Sequence, residues 1–220
     1  MVGDDLKPIL VIGAGGHAKS IFDVARSADR EISLFIDPNV SSSFFCGIKV
    51  LPEITDDINL KRYEIIVAVG DNKRRREISK NIMENWSYAK FASLIHRTAY
   101  VSETAEICCN SVIMANAVVG PETKIGSGSI INTGATVDHE CSLGNYVSIS
   151  PGVSIGGNVR IEDLVFVGIG AKISNNIYIG LNSIIGASAL VLSDIEANTV
   201  NYGIPAKLHR QLIDNDSNNN

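Results

Sequence analysis

The chain has 220 residues, with 45% hydrophobic residues and a formal net charge of −5, which is enough apolar content for a packed core in one large or two small domains. The acidic balance argues against binding to nucleic-acid backbones, which needs a basic face. No apolar run approaches the roughly 20 residues that span a bilayer, and the N-terminus lacks a signal-peptide pattern, so we expect no membrane partner and a cytoplasmic location. The four cysteines form no C-x-x-C pair; we expect reduced thiols and no zinc site.

The N-terminal part of the chain alternates strand and helix patterns. Short apolar runs predict strands at 8–13, 32–37 and 63–72, and the segments after the first and third predict helices within 13–28 and 73–86. This βαβ order predicts a small parallel sheet with right-handed crossovers. We assign a Rossmann-like domain to residues 1–92.

From Ile95 to Glu196 the sequence has a period of six residues. It divides into seventeen hexads without an insertion, in which every first position is Ile, Val or Leu and every fifth position is small or β-branched. A helix cannot keep a six-residue stripe on one face, whereas short strands joined by a turn in every hexad can. Three hexads per coil predict a triangular prism of parallel strands about 27 Å tall. We assign the prism to residues 93–210 and a disordered tail to 211–220.

Two stretches of the N-terminal part carry residues suited to binding. The glycine-rich turn GAGGHA at 13–18 precedes a helix, and Asp37 ends the next strand. A helix N-terminus attracts phosphate, and a carboxylate at that place suits a ribose. The pattern therefore fits a nucleotide-sugar, a dinucleotide such as NAD, or a tight turn without a ligand. Gly70, Asn72 and Arg75 follow the third strand, where open α/β sheets bind ligands, although a helix start with a solvated basic run is equally compatible.

One histidine in the hexads has carboxylates on both sides. In the stretch INTGATVDHECSLG, His139 is the third residue of its hexad, which predicts that it points outward at a turn. A general base needs a side chain that titrates near neutral pH and a carboxylate that fixes its tautomer. Asp138 or Glu140 can supply that carboxylate. The alternative is an ordinary surface histidine.

Four motifs in order give the chain a family resemblance. The hexads together with VIGAGGHAKSIFDVA, VAVGDNKRRR, INTGATVDHECSLG and VNYGIPAKL resemble the hexapeptide-repeat sugar acetyltransferases of the NeuD/PglD type, from about residue 8 to 210. The resemblance implies a mixed α/β and β fold in which the prism is a left-handed parallel β-helix. It also implies acetyl-CoA as co-substrate, a nucleotide-sugar substrate, no metal and a homotrimer.

The resemblance also implies roles for particular residues. His139 is the general base, Glu140 the carboxylate that orients it, and Asn132 an active-site amide. The implied nucleotide-sugar contacts are Gly15, Gly16, His17, Asp37, Gly70, Asn72 and Arg75, and the implied acetyl-CoA contacts are Ser148, Gly157, Ile169, Ala187 and Lys207. Ser148 stands where many relatives have a second histidine that contacts the acetyl donor. Cys141 shows no sign of activation and is assigned to packing.

The implied activity is N-acetylation of an amino sugar carried on UDP or GDP, by direct transfer, for surface glycans or glycoprotein glycans. O-acetylation of sialic acid or its CMP form uses the same residues and stays open. Alternatives of other classes are a non-catalytic nucleotide-sugar sensor or scaffold and a small NAD-binding regulator.

Overall fold

The structure is a computed structural model that describes residues 6–39, 42–55 and 57–212. Its N-terminal part is a five-stranded sheet with two α-helices and one short 3₁₀ helix at Leu60–Arg62. The strands are β1 (Ile9–Ile12), β2 (Ile32–Ile36), β3 (Phe44–Phe45), β4 (Ile48–Leu51) and β5 (Glu64–Val67), and the helices are α1 (Gly16–Ser27) and α2 (Asn72–Asn85). The strand order is β3-β4-β2-β1-β5, parallel except for the antiparallel pair β3-β4.

The strands and helices predicted from the N-terminal sequence are present at the expected places. The β3–β4 hairpin was not predicted. Its turn places Cys46 and Gly47 in left-handed backbone conformations, with φ of 50° and 79°. Cysteine rarely adopts that conformation, so the residues gave no hairpin signal.

The C-terminal part is a prism with three walls of parallel strands. The first wall contains β7 (Tyr100–Val101), β10 (Val118–Val119), β13 (Thr136–Val137), β16 (Ser154–Ile155), β19 (Lys172–Ile173) and β22 (Leu190–Val191). The second wall contains β8 (Glu106–Ile107), β11 (Lys124–Ile125), β14 (Ser142–Leu143), β17 (Arg160–Ile161) and β20 (Tyr178–Ile179). The third wall contains β6 (Leu94–Ile95), β9 (Val112–Ile113), β12 (Ile130–Ile131), β15 (Ser148–Ile149), β18 (Phe166–Val167), β21 (Ile184–Ile185), β23 (Thr199–Tyr202) and β24 (Lys207–Gln211).

The hexads determine this prism as the sequence predicted. Strands β6 to β22 recur every six residues, and each strand pairs with the strand 18 residues later, as Val118 pairs with Thr136. The first-position aliphatics point inward and form a continuous buried column. The mixed α/β and β fold with a left-handed parallel β-helix is therefore confirmed. Strand β6 begins at Leu94 beside the predicted boundary, and the predicted tail from residue 213 onward lies outside the described residues.

The corners of the prism need two kinds of special position. The fourth residue of most hexads takes a left-handed conformation, for example Glu140 with φ of 58°. The second residue is often glycine because the next coil passes close by. A Cβ at Gly120 would lie 2.8 Å from the carbonyl carbon of Asp138 and the backbone nitrogen of His139. The coil that carries His139 therefore packs directly on the coil below it.

The N-terminal domain packs on the outer side of the third wall. The buried face of α1, with Ala18 and Ile21, shares an apolar cluster with Leu94, Val112 and Ile130 of that wall. Further contacts from α2 reach the edge between the second and third walls, where Asn72 donates hydrogen bonds to the β-helix backbone. No helix in the described ranges is long and apolar enough to cross a membrane.

Candidate active site

The edge between the first and second walls carries a paired histidine and carboxylate. His139 lies on the turn between β13 and β14, with 51% of its side chain exposed, as its hexad position predicted. Its Nδ1 is 2.8 Å from Oε2 of Glu140. Asp138 instead accepts a hydrogen bond from the backbone N–H of His139 at 2.8 Å. The pairing therefore assigns the Nδ1 proton to the side facing Glu140 and leaves Nε2 free to accept a proton.

Gly157 forms the surface on which the imidazole ring rests. It lies 18 residues after His139, so the two residues stack in adjacent coils of the same edge. A Cβ at Gly157 would lie 2.5 Å from both Cε1 and Nε2 of His139 and 3.1 Å from Nδ1. The absence of a side chain at Gly157 is therefore what gives the ring its place beside Glu140.

A cleft of about 360 Å³ lies at the carboxyl ends of β1, β2 and β5. Gly15, Gly16 and Gly70 line it, and a Cβ added at any of the three would meet no other atom within 4 Å. Gly15 is the N-cap of α1 and has no side chain to cap the first turn. The cleft therefore exposes an uncapped helix N-terminus over an open glycine surface, which suits a phosphate group.

Asp37 and His17 also line this cleft, each with a distinct local role. The Asp37 carboxylate accepts hydrogen bonds from the backbone N–H groups of Ala14 at 2.7 Å and Asn39 at 2.9 Å, so it shapes the glycine turn. The His17 Nε2 is buried and, within the described ranges, has no hydrogen-bond partner. Burial, with a smaller contribution from the Arg75 charge, lowers the pKa of His17 to about 4. The His17 ring is therefore neutral at physiological pH.

Three predicted contact residues lie in a buried junction and not on the cleft. Asn72, Arg75 and Ser148 are buried, and they bond to one another and to backbone carbonyls. The prediction that Asn72 and Arg75 contact the nucleotide-sugar and that Ser148 contacts acetyl-CoA therefore disagrees with this geometry. Their polar atoms already have partners and are screened from solvent, and the junction joins the two domains.

The remaining predicted residues lie elsewhere on the β-helix. Asn132, Ile169 and Ala187 lie on turns of the edge between the third and first walls, one wall away from His139. The Asn132 side chain accepts a hydrogen bond from the N–H of Thr133 at 2.8 Å, and Ile169 and Ala187 are exposed. Lys207 is exposed in β24, beside a cavity of about 330 Å³ at the C-terminal end of the prism.

Cys141 is close to His139 in sequence but is not placed to act as a nucleophile. Its thiol donates weak hydrogen bonds to the carbonyls of Gly156 at 3.2 Å and His139 at 3.6 Å. Burial raises the pKa of this thiol. All four cysteines are unpaired. Within the described residues no group of three or more His, Cys, Asp or Glu side chains could hold a metal ion.

Sequence reasoning missed one further feature of the N-terminal domain. An apolar groove of about 490 Å³ continues from the cleft, with Ile12, Ile36 and Ile78 shared between the two. Ile54 and Trp86 complete its apolar surface. These residues come from distant parts of the sequence, so no local motif marks the groove.

Comparison with known proteins agrees with both parts of the chain. Residues 8–82 match the PglD N-terminal domain, and residues 104–139 match the bacterial transferase hexapeptide (six repeats). The acetyltransferase domain of PglB from Neisseria gonorrhoeae FA1090, in complex with acetyl coenzyme A, is 35% identical, with a TM-score of 0.87 over 93% of this chain and 100% of that one. The chain belongs to the NeuD/PglD family of hexapeptide-repeat sugar acetyltransferases. The resemblance inferred from the four motifs is therefore confirmed, and the family consists of acetyl-CoA-dependent acyltransferases.

Other relatives of this NeuD/PglD chain differ in extent. A mutant of perosamine N-acetyltransferase from Caulobacter crescentus, in complex with CoA and GDP-perosamine, is 27% identical, with a TM-score of 0.85 over 96% of this chain and 99% of that one. The uncharacterized protein L142 of Acanthamoeba polyphaga mimivirus is 28% identical over 99 residues, which are 45% of this chain and 19% of that protein. The match thus spans about a fifth of the viral protein.

Proposed function

We propose that this chain transfers the acetyl group of acetyl-CoA to the amine of a nucleotide-linked amino sugar, with UDP or GDP as the nucleotide, for surface glycans or glycoprotein glycans. The observation that carries the proposal is the His139–Glu140 pair on an exposed edge of the prism, with Nε2 directed away from the carboxylate. The acetyl-CoA complex of the PglB domain and the CoA and GDP-perosamine complex of the perosamine enzyme support it.

The chemistry follows from the assignment of the imidazole tautomer. The sugar amine attacks the thioester carbonyl, and its proton passes to Nε2 of His139 while the nitrogen–carbon bond forms. Glu140 stabilises the imidazolium that results. The C–S bond then breaks, and CoA leaves with its sulfur as the thiolate or thiol. Cys141 takes no part, because its thiol is buried and protonated.

The acceptor is proposed to bind in the cleft and groove of the N-terminal domain. The diphosphate fits the uncapped N-terminus of α1 beside Gly15 and Gly16, where the helix dipole favours negative charge. The apolar groove that continues past Ile36 and Ile78 fits the nucleoside. The neutral His17 ring presents a nitrogen to the bound ligand without adding charge.

The positions of these groups favour a site shared between copies of the chain. The N-terminal domain covers the third wall and the edge beside the second wall, whereas His139 lies on the edge between the first and second walls. Asn132, Ile169 and Ala187 lie on the remaining edge. A homotrimer in which an edge of one copy faces the next copy brings the three groups together, with acetyl-CoA in the groove between neighbouring prisms. Gly157, beneath the His139 ring, then places its backbone beside the reacting thioester.

The test is a turnover assay with acetyl-CoA and a panel of UDP-, GDP- and CMP-linked sugars with and without a free amine, followed by release of CoA thiol. We expect one amino-sugar nucleotide to react, and His139→Ala to lower kcat by about 10²–10⁴-fold. The variant should keep the nucleotide-induced rise in melting temperature, because the cleft is unchanged. Unchanged turnover in His139→Ala, or turnover only with hydroxyl acceptors, would contradict the proposal.

A further inference from the structure

One arginine at the domain junction has all of its donors in use. Arg75 is 1% exposed. Its Nε donates to the carbonyl of Gly128 at 2.7 Å, and Nη1 donates to the carbonyls of Val69 and Gly70, both at 2.9 Å. Nη2 donates to Oδ1 of Asn72 at 2.8 Å and to Oγ of Ser148 at 3.3 Å. These five bonds equal the five N–H groups of a guanidinium.

The charge of Arg75 is held by dipoles. Among the residues that the structure describes, none of its hydrogen-bond acceptors is a carboxylate. Burial lowers the pKa of Arg75 to about 10, so the group remains a cation at neutral pH. A buried cation is a poor source of stability, since desolvation offsets most of what its bonds contribute. Its placement is better explained by the geometry that it imposes.

The partners of Arg75 belong to the two halves of the proposed site. Val69 and Gly70 line the acceptor cleft. Gly128 and Ser148 belong to the β-helix, on the coils below and beside that of His139. Asn72 strengthens the same connection, because its Nδ2 donates to the carbonyls of Leu164 and Val165 at 3.1 Å each. The turn that follows β5 is thus bonded to the prism through buried polar groups.

We propose that Arg75 is a positioning residue for the acceptor, holding the Val69–Gly70 turn of the cleft at a fixed place relative to the β-helix and setting a positive field behind the phosphate site. This inference rests on the proposed function, since it concerns the acceptor cleft of that reaction. The field argument has independent support, because the Arg75 charge acts on His17, which lines the cleft. Ser148 is part of the same connection, and its hydroxyl also donates to Oδ1 of Asn72 at 2.7 Å.

The test compares Arg75→Met, which removes every donor, with Arg75→Lys, which keeps the charge and three donors. Arg76→Met is the matched control, because it removes the neighbouring arginine from the exposed side of α2. We expect Arg75→Met to raise KM for the acceptor by about tenfold or more, with KM for acetyl-CoA within about twofold. Arg75→Lys should recover part of the loss, and Arg76→Met should match the wild type.

Hydrogen exchange and nucleotide binding separate this inference from the proposed function. Backbone N–H groups at 69–72 should exchange faster in Arg75→Met and Arg75→Lys, and calorimetry with UDP and GDP should show weaker binding even if no acetyl transfer is found. If Arg75→Met does not fold, Arg75→Lys and Ser148→Ala test the same bonds. Lower melting temperatures with unchanged nucleotide affinity, unchanged acceptor KM and unchanged exchange at 69–72 would overturn the proposal, since Arg75 would then be purely structural.

Discussion

Replacing Gly157 by alanine tests whether the His139 ring owes its position to the residue beneath it. The added Cβ would lie 2.5 Å from Cε1 and Nε2 of His139. Carbon atoms in contact are about 3.5–4.0 Å apart, so the ring must move by about 1 Å or more. That movement breaks or lengthens the 2.8 Å contact with Glu140 and redirects Nε2.

The expected loss can be scaled from the size of this displacement. A misplacement of about 1 Å costs about 10²-fold in rate, or about 2.7 kcal/mol of activation free energy. The substitution introduces no backbone strain, because Gly157 is not among the residues with positive φ, and other third positions of hexads carry side chains, such as Asn145 and Asp163. Stability should therefore stay constant or rise by about 0.4–1 kcal/mol.

The assay is kcat with saturating acetyl-CoA and acceptor, combined with a double-mutant cycle. In a His139→Ala background, Gly157→Ala should change kcat by less than about twofold, because the ring that it displaces is gone. Wild-type kcat in the single Gly157→Ala variant would refute the reasoning. A hundredfold loss that persists in the His139→Ala background would refute it equally, since Gly157 would then act directly, for example through its backbone.

Four further predictions concern the cleft, the base, pH and the core. Gly15→Asp should retain or raise the melting temperature, because Asp is a good N-cap and meets no atom there, yet it should abolish nucleotide binding measured by calorimetry, because its carboxylate occupies the phosphate position. Glu140→Gln should lower kcat by about tenfold to a hundredfold, because the imidazolium loses its carboxylate. The free energy of unfolding should fall by up to about 3 kcal/mol as pH drops from 6.5 towards 4, since the unfolded chain protonates His17 and the folded chain with its pKa of about 4 does not. Ile149→Ala should lower the urea-determined free energy of unfolding by about 2–5 kcal/mol, since it leaves a cavity in the inner column.

Controls make each of these outcomes specific. Asp138→Asn, which keeps an acceptor for the His139 backbone N–H, should retain kcat, and an equal loss there would contradict the role given to Glu140. A His17→Gln variant should lose its share of the pH slope between 6.5 and 4, and an unaltered slope would assign that slope to other groups. Ser142→Ala on the exposed side of the second wall should leave stability within about 0.5 kcal/mol, in contrast to Ile149→Ala.

The β-helix could be predicted in detail because its rule is local and repeated. Each first-position aliphatic faces inward for the same reason, and the pairing partner is always 18 residues away, so the position of His139 on an outward turn followed from counting. The importance of Gly157 was open to the same reasoning. It lies one coil after His139 at the same hexad position, which predicts that the two residues stack.

The domain junction could not be predicted because its contacts are long-range. The bonds from Asn72 to Leu164 and from Arg75 to Gly128 join residues 92 and 53 positions apart. Nothing local to the basic run at 73–76 distinguishes the buried Arg75 from its exposed neighbour Arg76. A family motif at these positions suggested ligand contacts, whereas the geometry shows residues that hold the cleft and the prism together.

Subunit complementation tests most directly whether the site is formed by the cleft of one copy and His139 of another. Gly15→Asp chains and His139→Ala chains, each inactive alone, are unfolded, mixed in equal amounts and refolded, and acetyl transfer is measured. Random assembly into trimers places an intact cleft beside an intact His139 in about one quarter of sites, so we predict recovery to about a quarter of wild-type activity. Absence of any recovery, with mixed trimers shown to form, would contradict the account.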